Sequence, residues 1–211
     1  MRILAVSDLE VDQIEERLPH GDSEGIDLAL GCGDLHYSYL EYLVTVLNVE
    51  LFYVPGNHDI EYNPDSPDAH AQGCTNLNLR TARARGLLLA GFGGSVRYRP
   101  DGVNQHTQTS AFARLAGLVP RLWRNRLRYG RALDILIAHS PPYGIHDDET
   151  LSHQGLKAIN WLMAWAKPRY VLHGHMHYQP SNLMRDVTWQ ETTTIMNVYP
   201  YRIIEIQNAA R

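Results

Sequence analysis

Residues 51–59 indicate the fold most clearly, and they read Leu51-Phe52-Tyr53-Val54-Pro55-Gly56-Asn57-His58-Asp59. Four apolar residues in succession are typical of a strand that is buried on both faces. The glycine-led turn that follows places an amide, an imidazole and a carboxylate at the end of that strand. Open α/β sheets bind ligands outside the carboxyl ends of their strands. This stretch therefore predicts both a buried strand and a candidate site.

Similar apolar runs recur outward from this stretch in both directions. They cover residues 3–6, 27–30, 86–91, 134–138, 169–172, 194–198 and 202–206. Helical spacing, with apolar residues three or four positions apart, occurs at Leu40, Leu43, Val44 and Leu47 and again at Leu156, Ile159, Met163 and Ala166. Alternating strands and helices predict an α/β fold. The last two runs are joined by Tyr199-Pro200-Tyr201 without a helix, which predicts a hairpin and hence mixed sheets.

Composition indicates one globular domain over residues 1–211. Hydrophobic residues make up 44% and charged residues 20% of the chain, which is close to the globular average. Apolar stretches such as Leu87-Leu88-Leu89-Ala90 are far shorter than the roughly 20 residues of a transmembrane helix, and no signal peptide is evident. The cysteines, Cys32 and Cys74, form no CxxC pair, so neither a disulfide framework nor a cysteine zinc site is indicated. We expect a soluble, cytoplasmic protein without a membrane span.

Charge is distributed unevenly along the chain. The formal net charge of -4 argues against a surface built as a whole to bind nucleic acid. Residues 97–131, however, hold eight arginines and one aspartate, a local charge of +7. One interpretation is an anion-attracting flap, or a patch for nucleic acid or a membrane surface. The favoured interpretation is an arginine-rich helix face in solvent, with Leu115, Leu118, Leu122 and Leu127 packed inward.

Five polar clusters directly follow predicted strands. They are Ser7-Asp8-Leu9-Glu10, Gly31-Cys32-Gly33-Asp34, Pro55-Gly56-Asn57-His58-Asp59, His139-Ser140-Pro141-Pro142 and His173-Gly174-His175-Met176-His177. Because open α/β sheets place ligands outside the carboxyl ends of their strands, all five clusters can converge on one rim. Carboxylates, an amide oxygen and imidazoles form a mixed set that suits Mn, Fe or Zn rather than copper(I) or an iron–sulfur cluster.

The order of the clusters resembles the signature of the calcineurin-like metallophosphoesterases, written D-x-H, G-D, G-N-H-D/E, H and G-H-x-H. The similarity extends over residues 8–177, and the His-Ser-Pro-Pro-Tyr-Gly stretch from residue 139 resembles the small single-domain branch of that superfamily. The resemblance implies a four-layer α/β/β/α sandwich with two mixed sheets. It also implies a site for two divalent metal ions at one edge, with Mn favoured among Mn, Fe and Zn.

The resemblance further implies a role for each matching residue. The implied metal ligands are Asp8 and His177 for the first ion, Asp34 as the bridge, and Asn57, His139 and His175 for the second. His58 would contact the phosphate and protonate the leaving oxygen, and Asp59 would steer His58. The implied reaction is hydrolysis of a phosphate ester by in-line attack of a metal-bridging hydroxide.

Glu10 departs from the motif, because the family most often has histidine at this position. As a ligand, a carboxylate would favour Mn or Mg over Zn. Asp8, Glu10 and Asp34 together with a hydroxide would neutralise two divalent ions, whereas the histidine version would leave one positive charge. A neutral site is expected to prefer monoanionic diesters over dianionic monoesters. The alternative is that Ser7-x-x-Glu10 forms a capping box and Glu10 serves the backbone instead.

These observations favour a metal-dependent phosphoesterase that acts on a small phosphate ester, with a phosphodiester preferred. No Walker A pattern or Gly-x-Ser-x-Gly elbow supports NTPase or serine hydrolase chemistry. Two alternatives stay open at this point. One is a catalytically weak metal-site scaffold that acts as a binding or assembly module, to which Glu10 points. The other is a nuclease that uses the arginine-rich segment. The sequence does not indicate an oligomeric state.

Overall fold

The computed structural model describes residues 1–14, 25–177 and 186–206. The strands of these ranges are β1 (Arg2–Val6), β2 (Leu28–Gly31), β3 (Leu51–Tyr53), β4 (Thr75–Asn76), β5 (Thr81–Ala84), β6 (Leu87–Phe92), β7 (Ser95–Val96), β8 (Gln105–His106), β9 (Ile135–Ala138), β10 (Tyr170–His173), β11 (Val187–Gln190), β12 (Thr193–Asn197) and β13 (Tyr201–Glu205). The helices are α1 (Tyr37–Leu47), α2 (Gln108–Ala116), α3 (Val119–Tyr129) and α4 (Lys157–Ala166). Within the described part of the chain, no helix is long and apolar enough to cross a membrane.

Two large mixed sheets form the centre of the molecule. The first has the strand order β13-β1-β2-β3-β4, in which β13 is antiparallel to β1 and the other pairs are parallel. The second has the order β11-β12-β10-β9-β6-β5, with antiparallel hairpins at both ends and parallel pairs between them. Both sheets therefore present the carboxyl ends of parallel strands, where the sequence predicts the polar clusters.

The two sheets pack face to face and carry helices on their outer faces. The core between the sheets joins Ile3 and Leu30 of the first sheet to Leu89 and Ile137 of the second. Continuous apolar runs make this possible, because alternate side chains of each strand then find an apolar layer on both sides. On the outer faces, α1 covers the first sheet, while α2, α3 and α4 cover the second. The predicted four-layer α/β/β/α sandwich is confirmed.

The predicted hairpin at residues 194–206 is wrong. β12 pairs with β10 and β11 in the second sheet, whereas β13 crosses to the first sheet and pairs with β1. β13 thereby forms an edge of the first sheet, whereas β12 lies inside the second sheet between β10 and β11. The antiparallel hairpins of the second sheet are instead β5–β6 and β11–β12.

The arginine-rich segment forms α2 and α3, and one of its predicted core residues lies outside. Leu115, Leu118 and Leu122 are fully buried against the second sheet, as expected. Leu127 is 75% exposed, so its predicted inward orientation is wrong. It lies five residues after Leu122 and therefore falls on the opposite side of α3.

Candidate metal centre

The five polar clusters converge on one rim, because each follows a central strand. Three of the residues concerned turn the backbone sharply where the strand ends: Asp8 has a φ of 65°, Asp34 a φ of 54° and His175 a φ of 67°. Left-handed backbone is uncommon for residues other than glycine, and such positions concentrate at functional sites. These turns bring the Asp8 carboxylate to the backbone of His175, and bring both the Asp34 carboxylate and the His175 imidazole to His139.

Close approach of the β2 and β3 turns requires glycine. A Cβ atom on Gly56 would lie 2.0 Å from Asp34 Oδ1, and one on Gly33, whose φ is +93°, would lie 2.6 Å from His139 Nδ1. Because glycine has no Cβ atom, the β3 turn can pack against Asp34 and the β2 turn can pack against His139. Gly33 and Gly56 therefore set the spacing between Asp34 and His139.

His139 lies at the centre of the cluster and is fully buried. Its Nδ1 lies 2.9 Å from the carbonyl oxygen of Cys32, so Nδ1 carries the hydrogen that it donates. Its Nε2 is 3.0 Å from Asn57 Oδ1 and 3.3 Å from Asp34 Oδ2. Burial opposes charging of this imidazole, but the adjacent Asp34 carboxylate, with Asp8 beyond it, raises the pKa of His139 to about 10. In the metal-free protein a proton occupies this position.

His175 faces His139 with its other nitrogen committed to the backbone. Nε2 of His175 donates to the carbonyl oxygen of Ser152 at 2.7 Å, which leaves Nδ1 with a lone pair 3.1 Å from His139 Nε2. Burial and the charge of His139 lower the pKa of His175 to about 4, so this ring is neutral. A carbonyl that fixes the tautomer in this way is typical of histidines that bind metal ions.

Asn57 is oriented by a residue that the sequence analysis did not identify. Its Nδ2 donates to the hydroxyl of Tyr98 at 3.1 Å, and this bond directs Oδ1 toward His139. Tyr98 lies in the loop between β7 and β8. The same loop supplies Asn104, whose Nδ2 donates to the carbonyl of Gly56 at 3.0 Å. No spacing pattern links these residues to the motif, so only the folded structure reveals them.

Asp8 and His177 form the second half of the cluster. His177 Nε2 lies 3.2 Å from Asp8 Oδ1, and the His177 ring stacks on Tyr199 with 4.8 Å between the centroids. The Ser7 hydroxyl and the backbone N–H of His175 also donate to Asp8. Burial alone would raise the pKa of Asp8, but the hydrogen bond from His177 and the charge of His139 lower it. Asp8 is thus an ionised carboxylate beside an imidazole.

The donor atoms suit a divalent metal ion. Ligand atoms of Asp34, His139 and His175 all lie within 4.8 Å of one another. Nδ1 of His139 donates to a carbonyl, so an uncharged His139 would carry its lone pair on Nε2. That lone pair would face a carboxylate oxygen, an amide oxygen and a second imidazole nitrogen. Electron-rich atoms in such an arrangement require a proton or a cation among them. Carboxylate, amide and imidazole donors together match Mn, Fe or Zn.

The profile of the calcineurin-like phosphoesterase family matches residues 1–179. The chain belongs to this family. TT1561 of Thermus thermophilus has a similar structure, with 17% identity, a TM-score of 0.58, and coverage of 93% of this chain and 88% of that chain. Vacuolar protein sorting 29 of Cryptosporidium parvum aligns with 12% identity and a TM-score of 0.44, covering 93% of this chain and 72% of that one. A Vps29 mutant of Entamoeba histolytica aligns with 13% identity, a TM-score of 0.44, and coverage of 93% and 73%. Among curated protein sequences, none matches.

Glu10, which departs from the signature of the calcineurin-like phosphoesterases, lies at the rim of the centre. Its Oε1 accepts a hydrogen bond from the backbone N–H of His36 at 2.9 Å and pairs with the His36 ring at 2.7 Å. The N–H of His36 precedes α1, so Glu10 serves a different helix from the one that a capping box would begin. The sequence predicts that helix to carry Val11, Ile14 and Leu18, and Leu18 lies outside the described residues. Whether Glu10 binds a metal ion stays a prediction.

Asp59 binds the backbone of both motif turns. Its carboxylate accepts from the N–H groups of Gly56 at 2.7 Å, Asp34 at 3.0 Å and Leu35 at 3.0 Å. Burial and the charge of Asp34 outweigh these hydrogen bonds and raise the pKa of Asp59 to about 6. This geometry makes Asp59 a brace between the β2 and β3 turns, and its predicted steering of His58 remains a prediction.

A groove of about 750 Å³ opens beside the metal centre, and His58 lines it. The backbone N–H of His58 donates to Asp34 Oδ1 at 2.8 Å, which places the residue directly beside the cluster. Apolar side chains of the groove are Leu9, Leu35, Tyr37, Ile60 and Pro67, and its carboxylates outside the predicted ligand set are Glu41, Asp59 and Asp68. Among the described residues that line the groove, none is lysine or arginine.

The third histidine of the fifth cluster lies behind the centre. His173 is fully buried, and its Nδ1 donates to the carbonyl of Gly174 at 3.0 Å. Its Nε2 is 2.8 Å from Nδ1 of His146, whose Nε2 is 2.8 Å from the Thr188 hydroxyl. Burial lowers the pKa of His173 to about 3, so the ring is neutral. This chain of hydrogen bonds supports the turn that carries His175.

Metal binding is expected to release at least one proton near neutral pH. A metal ion must displace the proton from His139 Nε2, and the pKa of about 10 means that this proton is present at pH 7. The apparent metal affinity should therefore rise about tenfold per pH unit between pH 7 and pH 9. Calorimetric titration with Mn²⁺ in two buffers of different ionisation enthalpy measures the proton count. His70→Gln, outside the cluster, should release the same number, and a binding enthalpy independent of the buffer would contradict the assignment.

Proposed function

We propose that this protein is a cytoplasmic, single-domain phosphoesterase over residues 1–211 that hydrolyses a small organic phosphodiester with the aid of two divalent metal ions. The proposal rests on the atoms around His139 Nε2. Oxygen and nitrogen atoms of Asn57, Asp34 and His175 lie 3.0–3.3 Å from it. Family membership supports the reaction class. Mn²⁺ is the favoured ion.

The ligands divide into two groups about Asp34. Asp8 and His177, which contact each other, would hold one ion, and Asn57, His139 and His175, which cluster on the other side, would hold the second. Asp34 contacts His139 through Oδ2 and accepts from the N–H of His58 through Oδ1, which suits a bridging role. Two divalent ions when bound lower the pKa of a water to supply hydroxide at neutral pH and orient the phosphoryl oxygens.

His58 would protonate the leaving oxygen. Its exposed imidazole lines the groove, and its backbone is attached to Asp34, so the side chain can reach a phosphate held at the centre. A positioned imidazole is the commonest general acid in proteins. Asp59 contributes by holding the turns of Asp34 and Gly56 together, which fixes the starting point of the His58 side chain.

The groove favours a small substrate over a polyanion. Carboxylates and apolar side chains line it, and the described lining includes no arginine or lysine. A nucleic acid would bring several phosphates past Glu41 and Asp68, where like charges repel. A phosphodiester that carries neutral or apolar groups avoids this repulsion and can bury those groups against Leu9 and Ile60.

The experiment compares aryl substrates after the metal has been removed with a chelator. We expect no turnover of bis(p-nitrophenyl) phosphate until Mn²⁺ is added, and then a higher kcat/KM than for p-nitrophenyl phosphate. The same assay with Fe²⁺ and Zn²⁺ ranks the ions. Complete absence of turnover with all three ions, while calorimetry still shows metal binding, would favour the alternative of a metal-site scaffold.

Glu10→His is expected to raise the ratio of monoester to diester turnover by roughly fivefold. The substitution adds one positive charge at the centre, which favours a dianionic ester by about 1 kcal/mol when the interaction is screened as in water. The control is Glu41→Gln, which removes a groove carboxylate bonded to the backbone of Gln72 but outside the predicted ligand set. A ratio that moves equally in both variants would show that Glu10 acts only through the general field of the groove.

A further inference from the structure

The exposed side of α3 carries two large apolar residues. Leu122 and Asn125 point into the protein, whereas Trp123 is 51% and Leu127 is 75% exposed. Trp123 and Leu127 are four residues apart, so they lie one turn apart on the same face of the helix. Single apolar residues are common on protein surfaces, whereas adjacent large ones are typical of interaction sites. Trp123 and Leu127 form such an adjacent pair.

Exposed arginines flank this pair along the chain. We use the name α3 face for Trp123 and Leu127 together with Arg121, Arg124, Arg126, Arg128 and Arg131. The β5–β6 hairpin reaches α3 through Tyr129, whose ring lies 5.2 Å from the Arg83 guanidinium and 5.5 Å from that of Arg128. Arg131 Nη2 also donates to the carbonyl of Gly86 in the same hairpin at 3.0 Å. The fold thus places one further arginine, Arg83, against the C-terminal end of α3.

Little negative charge offsets this face. Between residues 79 and 134 the carboxylates are Asp101 and Asp134, and the buried Asp134 pairs with Arg131 at 2.7 Å. Within the described ranges, Arg121, Arg124 and Arg126 have no ion-pair partner. Arginines in the last turn stabilise a helix through its dipole, which accounts for Arg126 and Arg128 alone. Arg121 and Arg124 need another reason.

We propose that the α3 face binds an anionic membrane surface. A layer of acidic lipid headgroups offers negative charge to the arginines and, directly beneath it, an apolar region for Trp123 and Leu127. Tryptophan is enriched at such interfaces, and arginine side chains extend from an apolar contact to the headgroup level. A nucleic acid would satisfy the arginines but provide no apolar surface for Leu127. The proposal is independent of the phosphoesterase chemistry, since α3 contributes no predicted ligand.

Cosedimentation of the 211-residue chain with lipid vesicles tests the proposal. We expect binding to phosphatidylcholine vesicles with about 30% phosphatidylserine, and weakening at high salt. Arg121→Glu/Arg124→Glu should lower the partition coefficient by at least about 25-fold, because each lost arginine costs roughly fivefold and each added carboxylate is repelled by the acidic lipids. Trp123→Ala/Leu127→Ala should lower it by about tenfold. The matched control is Trp189→Ala, because Trp189 is also 75% exposed but lies on β11, at the far edge of the same sheet from β5.

Several outcomes would overturn the proposal. Binding to vesicles of pure phosphatidylcholine as strong as binding to the phosphatidylserine vesicles would show that the arginines do not drive the interaction. Wild-type binding by Trp123→Ala/Leu127→Ala, or an equal loss in Trp189→Ala, would place the contact elsewhere. Absence of vesicle binding, combined with duplex DNA binding that the arginine variant abolishes, would assign the face to nucleic acid. Thermal unfolding at the wild-type Tm verifies that each exposed substitution leaves the fold intact.

Discussion

Asp34→Asn is expected to lower kcat/KM for an aryl phosphodiester by about 10³-fold or more in the presence of Mn²⁺. Asparagine keeps the shape of the side chain and the acceptor for the N–H of His58, but it loses the charge that faces His139 at 3.3 Å. A bridging carboxylate stabilises the charge of both ions, and loss of a directly acting electrostatic group typically costs this much. The same variant should release fewer protons on metal binding, because Asp34 is the leading charge that raises the pKa of His139.

The control for this variant is Asp68→Asn. Asp68 lines the same groove but lies outside the predicted ligand set, so its loss should change kcat/KM by less than about threefold. The Tm of each variant is measured to verify that the fold is intact. Metal affinity is measured separately by calorimetry. If Asp34→Asn kept more than about a tenth of the wild-type kcat/KM, Asp34 could not bridge the ions, and the proposed function would lose its main support.

The predicted convergence of the clusters depends on local rules that the sequence expresses directly. Apolar runs long enough for strands end in Asp8, Asp34, Asn57, His139 and His175, and parallel pairing then brings these ends together. The prediction needs no knowledge of which strand pairs with which. It requires only that both sheets place the carboxyl ends of their parallel strands at one rim.

What the sequence could not predict are contacts made by residues without a pattern. The carbonyl groups of Cys32 and Ser152, which fix the tautomers of His139 and His175, are backbone atoms that any residue would supply. Tyr98 and Tyr199 contact the centre from loops that have no periodicity. Such long-range contacts depend on the packing of distant segments rather than on local preference.

Local sequence patterns also could not predict which sheet each of the last two strands joins. Two adjacent strands with a short connection normally form a hairpin, yet β12 and β13 belong to different sheets. The crossing brings the carbonyl of Pro200 within 3.0 Å of the N–H of Ser7, so the connection itself passes beside the metal centre. It also positions Tyr199 against His177, a contact that a hairpin within one sheet would not require.

Gly174→Ala is expected to destabilise the protein by about 3 kcal/mol and to abolish metal binding at the first ion. A Cβ atom at this position would lie 1.7 Å from the Ser7 hydroxyl oxygen and 2.3 Å from Asp8 Oδ2. Ser7 is fully buried and Asp8 is held by the N–H of His175, so neither group can move away without breaking other contacts. Overpacking of this severity lies at the upper end of its usual cost.

Two comparisons separate the steric effect from other consequences of adding a methyl group. Gly130→Ala introduces alanine where φ is +74° but no atom lies within 4 Å of the new Cβ, so it should cost only about 1 kcal/mol. In the double variant Ser7→Ala/Gly174→Ala the closest clash disappears while the contact with Asp8 Oδ2 remains. Denaturant unfolding should then recover part of the lost stability, whereas calorimetry should still show weakened metal binding. If Gly174→Ala unfolded at the same denaturant concentration as Gly130→Ala, the β10 turn would have room to shift, and the close packing of Gly174 against Asp8 would not be what positions His175 and His177.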